Sequence, residues 1–214
     1  MSRFRAALLF ATSGHSGVDR ILNNLLPEFG NTECDFNLLT IPRHGPYLKS
    51  TPSNVRWGRL PALGKDTVLP GIAWYLSIYR PHVLLTANHK LNRAALMARR
   101  ITRVQTRIAI RMGMSVTAKI YEMKPAQSAS LKRSMRRWYP RADAVITPSQ
   151  GVGEDLIQIA GIDRRSLHVI PNPLISSRIY SLAEQPVDHP WLVPDRSEPT
   201  LLTAGRLVPQ KDHA

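Results

Sequence analysis

Three residues that can bind sugars or phosphates follow two short apolar runs of the sequence. Asn88 and His89 come shortly after Val83–Leu85, and Arg111 comes directly after Ile108–Ile110. Asn and His side chains could hydrogen-bond sugar hydroxyls, and His89 could also transfer a proton near neutral pH. Arg111 could face a phosphate or a carboxylate. Two alternatives stay open: Asn88 could simply cap a helix, and Arg111 could be one more member of a basic segment.

Two glycine-containing loops could hold phosphate groups. Gly14 and Gly17 lie in the loop after the first apolar run, where glycines let the backbone approach a ligand at the start of a helix. This loop has neither a full G-x-G-x-x-G fingerprint nor a Walker sequence, so a mere tight turn is the alternative. The second loop contains Gly205, Arg206 and Lys211, and its Arg and Lys can clamp a diphosphate.

Other kinds of site find little support in the sequence. The single cysteine, Cys34, excludes an intrachain disulfide and a multi-thiolate metal cluster, which fits a reducing compartment. The 7 histidines do not have the spacing of metal ligands, and there is no Gly-x-Ser-x-Gly motif. We therefore expect neither a metal nor a bound cofactor.

Short apolar runs alternate with segments of helical spacing, and such runs are typical of strands buried on both faces of a parallel sheet. We predict strands at Ala6–Ala11, Phe36–Ile41, Val83–Ala87, Ile108–Ile110, Ala144–Thr147, His168–Ile170 and Leu201–Ala204, with a short edge strand at Val55–Trp57. We predict helices at Gly17–Phe29, Asn92–Arg103, Ser128–Tyr139 and Ser149–Ala160. The predicted fold class is α/β, a Rossmann-like doubly wound parallel sheet with a truncated second domain.

The same pattern divides the chain into three parts. Residues 1–173 contain the alternating strands and helices and form one predicted domain. Residues 174–199 are rich in proline, which resists both helix and central strand, and we interpret them as a linker. We interpret residues 200–214 as the first strand and loop of a second domain.

Positive charge is concentrated in one segment. Residues 99–141 hold 12 of the 29 Lys and Arg residues and one acidic residue. This favours an anionic partner, and we expect peripheral contact with an anionic membrane; a solvated helix face is the alternative. A nucleic-acid-binding module using residues 99–141 is disfavoured, because aromatic residues are not interleaved with the arginines except at Trp138 and Tyr139. No apolar stretch is long enough to span a bilayer, so we expect a cytoplasmic protein at the inner face of the membrane.

Taken together, the loops resemble those of the family 4 retaining glycosyltransferases, which have the GT-B fold. The resemblance rests on Gly14–Arg20, Asn88–Asn92, Ala142–Ser149, Val169–Pro173 and Ala204–Asp212. It implies two Rossmann-like domains that face a cleft, the N-terminal one holding the acceptor and the C-terminal one a nucleotide sugar. It also implies a hexosyltransferase that passes a hexose from a nucleotide sugar to a glycan or a lipid-linked acceptor.

The resemblance assigns roles to the glycine-containing loops. Gly205, Arg206 and Lys211 match the motif whose Arg and Lys contact the donor diphosphate, and Gly14 and Gly17 match the loop that closes over the donor phosphates. Cleavage of a sugar–phosphate bond builds negative charge on the departing diphosphate. Preorganised cations and N–H groups stabilise that charge without a metal.

The sequence departs from the family pattern in two places. The family commonly has a histidine in the loop that here reads Arg111-Met-Gly-Met114. The family's remaining nucleotide-binding segment and its pair of glutamates have no counterpart within these 214 residues. We therefore expect a fragment with little or no transferase activity alone. A noncatalytic partner subunit of a glycosyltransferase is the alternative.

Overall fold

The computed structural model describes residues 3–12, 16–44, 51–175, 177–192 and 198–203. The strands are β1 Arg5–Phe10, β2 Asp35–Thr40, β3 Val55–Arg59, β4 Val83–Ala87, β5 Arg107–Arg111, β6 Ala144–Thr147 and β7 Leu167–Val169. They form one sheet in the order β3-β2-β1-β4-β5-β6-β7, and every neighbouring pair is parallel. The prediction of a Rossmann-like α/β sheet is therefore confirmed.

The four helices predicted from the sequence are present, three of them with shifted ends, and the described residues contain three further helices. The helices are α1 Gly17–Phe29, α2 Val68–Tyr79, α3 His89–Thr102, α4 Val116–Tyr121, α5 Pro125–Trp138, α6 Gln150–Ala160 and α7 Ser177–Ala183. α3 begins three residues before the predicted start at Asn92, because the Asn88 side chain accepts the free backbone N–H of Lys90 in the first turn. α5 begins at Pro125, since proline is well suited to the first position of a helix.

The core lies on both faces of the sheet, and β1 shows why. Ala6, Leu8 and Phe10 project to one face, where they pack with Leu22 and Leu26 of α1. Ala7 and Leu9 alternate to the other face and belong to a larger cluster. That cluster includes Ile72 and Leu76 of α2, Leu91 and Ala95 of α3, Met135 of α5 and Leu156 of α6. Both faces of a strand are buried, which is the origin of the continuous apolar runs in the sequence.

The chain divides into two compact units, Met1–Leu174 and Ile175–Ala214. The second unit contains α7, which forms in the proline-free stretch before Pro186 and differs from the irregular linker that we expected. Residues Leu201–Thr203 do not form the predicted strand, and Leu201 and Leu202 are exposed, because no described strand pairs with them. Among the described residues, no helix is both long enough and apolar enough to span a membrane.

Candidate functional site

The carboxyl ends of the parallel strands meet at one edge of the sheet, and the candidate site lies there. Strand order reverses between β1 and β4, which are neighbours in the sheet although β2 and β3 separate them in the chain. Ligands of open α/β sheets bind beyond the carboxyl edge at such a switch point. Asn88 and His89 follow β4, and Arg111 ends β5, so the fold brings the three predicted residues to this edge.

Asn88 acts as the N-cap of α3. Its φ of 95° lies in a region that non-glycine residues seldom adopt but that Asn tolerates better than most. The side-chain oxygen accepts a hydrogen bond from the backbone N–H of Lys90 at 2.9 Å. Because this oxygen is engaged in capping, the structure supports the capping role that the sequence left as an alternative. The exposed side chain lies at the carboxyl edge, and a sugar-binding role stays a prediction.

His89 is partly buried against Tyr139. Nδ1 of His89 lies 3.1 Å from the Tyr139 hydroxyl, and the ring centroids are 5.7 Å apart. Burial, together with the nearby cations Arg93 and Lys119, lowers the pKa of His89 to about 4. The imidazole is therefore neutral at pH 7, and this argues against the proton transfer near neutral pH that we expected from the sequence.

The hydrogen-bond partners of the Tyr139 hydroxyl indicate which ring nitrogen of His89 carries the proton. The Tyr139 hydroxyl has one proton, and the imidazole Nδ1 is a stronger acceptor than the sulfur of Met112, which lies 3.3 Å away. When Tyr139 donates to Nδ1, the proton of the neutral ring resides on Nε2. His89 then offers an N–H donor, and its Nε2 has no partner among the described residues.

A buried polar network supports this arrangement. Asn92 accepts from the Thr86 hydroxyl at 2.8 Å and donates to the Arg111 carbonyl at 3.2 Å and the Tyr139 hydroxyl at 3.4 Å. Thr86, Asn92 and Tyr139 are each fully buried. Burial raises the pKa of Tyr139 despite the hydrogen bond from Asn92, so the phenol keeps its proton. The network ties the end of β5 to α3 and fixes Tyr139 beside His89.

Arg111 is held by a residue from the chain segment after β7. One guanidinium nitrogen donates to Oδ1 of Asn172 at 2.6 Å. A Cβ at Gly113 would lie 2.9 Å from another of its nitrogens, so the absence of a side chain there leaves room for the guanidinium. Burial lowers the pKa of Arg111, but an arginine stays a cation at neutral pH. The arrangement is a preoriented cation that can accept a phosphate or a carboxylate.

The loop after Arg111 is anchored by Asp155 of α6. Oδ2 of Asp155 accepts from the Ser115 hydroxyl at 2.9 Å, Val116 N–H at 2.5 Å and Thr117 N–H at 3.1 Å. Burial raises the pKa of Asp155, but a hydrogen bond from the Thr117 hydroxyl to Oδ1, together with the three bonds to Oδ2, outweighs burial and lowers the pKa overall. The charged carboxylate therefore satisfies the free N–H groups at the start of α4 and fixes the segment from Met112 to Ser115.

The phosphate-binding residues that we predicted are only partly within the described residues. Gly17 is exposed at the first position of α1, and a Cβ there would meet no atom within 4 Å. Ser16 and Asp19 form a capping box at the same end, with the Ser16 backbone N–H donating to Asp19 at 2.8 Å. Gly14, Gly205, Arg206 and Lys211 lie outside the described residues.

The sequence led to Asn88, His89 and Arg111 but missed the residues that orient them. Tyr139, Asn92, Asn172 and Asp155 act through contacts that cross 19 to 61 positions of the chain. The one local signal was Asn92, a polar residue within an otherwise apolar helical stripe. Across the described residues, no group of three or more His, Cys, Asp or Glu side chains is arranged to hold a metal ion.

These features define an α/β domain of the Rossmann-like class, with a cluster of polar residues at the carboxyl edge of a parallel sheet, where ligands of such folds bind. The family described as the glycosyl transferase 4-like domain matches residues 16–173, and the chain belongs to this family. The family that the loop sequences resemble is therefore confirmed. A comparison with curated proteins finds no match.

Solved GT-B glycosyltransferases share the fold. Sucrose-phosphate synthase from Thermosynechococcus elongatus is 15% identical with a TM-score of 0.56, over 79% of this chain and 48% of that chain. The apo form of the lipopolysaccharide outer core galactosyltransferase WaaB is 16% identical with a TM-score of 0.54, over 79% and 46%. UGT89C1 of Arabidopsis thaliana, complexed with UDP, is 10% identical with a TM-score of 0.53, over 82% and 50%. The chain spans about half the length of these structures.

Proposed function

We propose that the chain provides the acceptor side of a retaining hexosyltransferase. The enzyme would transfer a hexose from a nucleotide sugar to a glycan or a lipid-linked acceptor. The single observation that carries the proposal is the family match over residues 16–173, which contains the three polar residues gathered at the carboxyl edge. The same match disfavours a nucleic-acid-binding module.

We assign the acceptor or sugar contacts to Asn88, His89 and Arg111. A neutral His89 donates a hydrogen bond through Nε2 and thereby orients a sugar hydroxyl, while Tyr139 holds the ring in place. Arg111 offers charge-assisted hydrogen bonds from nitrogens that Asn172 does not use. These contacts position the substrate, and positioning lowers the barrier because the reacting groups no longer lose freedom in the transition state.

We assign the donor diphosphate to Gly14, Gly17, Gly205, Arg206 and Lys211. The negative charge that develops on the departing diphosphate would be stabilised by the two cations and by backbone N–H groups at the start of α1. The UDP complex of UGT89C1 supports a nucleotide sugar as the donor class. In this proposal residues 1–173 form the acceptor domain, 174–199 the linker and 200–214 the start of the donor domain.

Contact with an anionic membrane completes the proposal. Lys132, Arg133, Arg136 and Arg137 are exposed on α5, and the helix is accordingly basic over its last two turns. Acidic headgroups attract such a surface, which would bring the enzyme to lipid-linked acceptors at the inner face of the membrane.

The proposal can be tested by NMR with methyl-labelled methionine. Met112 and Met114 lie in the loop after Arg111, whereas Met97 and Met123 lie elsewhere and serve as internal controls. Titration with UDP-glucose, UDP-galactose and GDP-mannose should shift the Met114 signal saturably with at least one of them. Arg111→Gln should weaken binding about tenfold because a charge-assisted hydrogen bond is lost.

Two further variants sharpen the test. Arg206→Gln combined with Lys211→Gln should weaken binding by at least as much, since both cations are assigned to the diphosphate. Arg165→Gln, an exposed arginine after α6, is the matched control and should leave binding unchanged. The assignment of a sugar contact to Arg111 fails if no nucleotide sugar moves the Met114 signal, or if the control binds as weakly as Arg111→Gln.

A further inference from the structure

A cavity lined by arginines lies at the amino edge of the sheet, opposite the candidate functional site. Its volume is about 490 Å³. The walls come from the end of α3, the segment before β5 and the segment before β6, which are amino-edge elements of a parallel sheet. The charged residues in its lining are Arg99, Arg100, Arg103, Arg107, Arg141 and Asp143.

Two of the arginines are fixed by hydrogen bonds within the protein. Arg99 donates to the carboxylate of Asp143 and to the carbonyl of Arg141. Arg141 donates to the carbonyl of Arg137. Asp143 also accepts the backbone N–H of Ile108 at 2.7 Å, so the single carboxylate of the cavity already has two partners. It cannot neutralise the remaining arginines.

The other three arginines have no such partners. The guanidinium groups of Arg100, Arg103 and Arg107 make no hydrogen bond or ion pair with any described residue, and all three residues are exposed. Cations near the end of α3 are favoured by the helix dipole, which accounts for Arg100 and Arg103. Arg107 begins β5 and lies outside that helix, so the dipole does not account for it.

The backbone at Arg103 has a conformation that arginine seldom adopts. Arg103 ends α3 with a φ of 55°, in the left-handed region that favours glycine. A neighbouring cavity of about 400 Å³ shares Arg103–Thr106 and adds Arg80, which ends α2 with a φ of 43°. Two helices thus end in arginine at a position where glycine is less strained, and both arginines line the same edge.

We propose that this arginine cavity binds an anion that carries phosphate groups. Planar guanidinium groups bind phosphate oxygens in pairs, and three of them here lack a partner. A bound anion would also reduce the repulsion among five arginines that face one carboxylate. The ligand chemistry is a phosphate ester or diphosphate, either free in solution or in the headgroup of an anionic phospholipid. The cavity lies on the other edge of the sheet from the candidate functional site, so this binding is separate from the proposed transfer.

The test uses the full 214-residue chain and two probes, sodium pyrophosphate in calorimetry and vesicles of phosphatidylcholine with or without phosphatidylglycerol. Arg103→Gln combined with Arg107→Gln removes two unpaired cations. Arg100→Gln combined with Arg107→Gln avoids the strained position, in case the first pair alters folding. Arg56→Gln combined with Arg165→Gln removes the same charge outside the cavity and outside α5, and circular dichroism verifies that all variants fold.

We expect saturable binding of pyrophosphate, or of the anionic vesicles, that both cavity pairs weaken about tenfold or more and that the control pair leaves unchanged. Loss of pyrophosphate binding identifies a free phosphate ligand, and loss of vesicle binding alone identifies a lipid headgroup. Either pattern supports the cavity. The proposal is overturned if neither probe binds, or if the control pair weakens binding as much as the cavity pairs.

Discussion

At the scale of single residues, the site depends on a histidine held in its neutral form. The pKa of His89 is about 4, below the ordinary value of 6.5. Between these values the unfolded chain binds a proton at this residue that the folded chain does not. The free energy of unfolding should therefore rise with pH from about 4 to about 6.5 and level off above, by up to about 3 kcal/mol from His89.

Urea unfolding across this pH range measures the effect. His89→Asn should flatten the rise, whereas His168→Asn, which changes an exposed histidine, should keep it. The imidazole carbon signal of His89 should show no titration near pH 6.5. A titration at the ordinary value would mean that the packing against Tyr139 and the neighbouring cations does not control the charge of the ring.

At the same scale, the sequence indicates the candidate ligand-binding residues more readily than the residues that hold them in place. Arg111 and His89 are recognisable because each follows an apolar run, and the ends of such runs meet at one edge. Tyr139 is not recognisable, because its hydrogen bond to His89 joins residues 50 positions apart. A phenol at the end of an amphipathic helix looks like an ordinary core residue until the helix is placed against α3.

At the scale of elements, the close packing of α6 on the sheet explains why residue 153 of this helix is a glycine. A Cβ at Gly153 would lie 2.7 Å from Cδ2 of Leu167 and 3.3 Å from Oγ1 of the buried Thr147. A Cβ at Gly151, in the first turn of the same helix, would meet nothing within 4 Å. Gly153→Ala should therefore lower the free energy of unfolding by up to about 1 kcal/mol, because the end of the Leu167 side chain must move to admit the methyl group.

Gly151→Ala is the matched control for this prediction. It should raise the free energy of unfolding by up to about 1 kcal/mol, because alanine loses less backbone entropy in a helix. Denaturant unfolding of the two variants under one condition compares them directly. If both substitutions shift the midpoint in the same direction, helix propensity and not the approach of α6 to β7 determines the outcome.

Strands were easier to predict than helix ends. The central strands β1 and β5 are buried on both faces, so their apolar runs are continuous. The predicted bounds of all seven strands shift by at most two residues. Helix ends depend on capping: the Asn88 side chain extends α3 backward, and Asp155 stabilises a six-residue α4 that has little periodicity of its own. The strand predicted at Leu201–Ala204 needed a paired neighbour, which local sequence cannot supply.

At the scale of the whole molecule, positive charge is distributed unevenly between the two edges of the sheet. The carboxyl edge holds Arg111 with a defined partner, Asn172. The amino edge and α5 contain most of the remaining cations of residues 99–141. Salt screens electrostatic attraction over a short distance, so these cations attract only partners that approach the surface closely. The net positive charge of the sequence indicates an anionic partner, but only the fold shows which cations lie at the carboxyl edge and which lie at the amino edge.

This distribution predicts vesicle binding that depends on both lipid charge and salt. In flotation with vesicles containing about one third acidic lipid, the chain should be recovered with the lipid at about 0.05 M NaCl and released at about 0.3 M, as the screening length shortens. Lys132→Glu combined with Arg133→Glu should reduce partitioning at least about tenfold, since each basic residue contributes about 1 kcal/mol. Arg20→Glu combined with Arg56→Glu makes the same charge change on α1 and β3 and should reduce it less. Equal recovery with neutral vesicles at low salt would mean that apolar contact, and not the basic helix, brings the protein to the membrane.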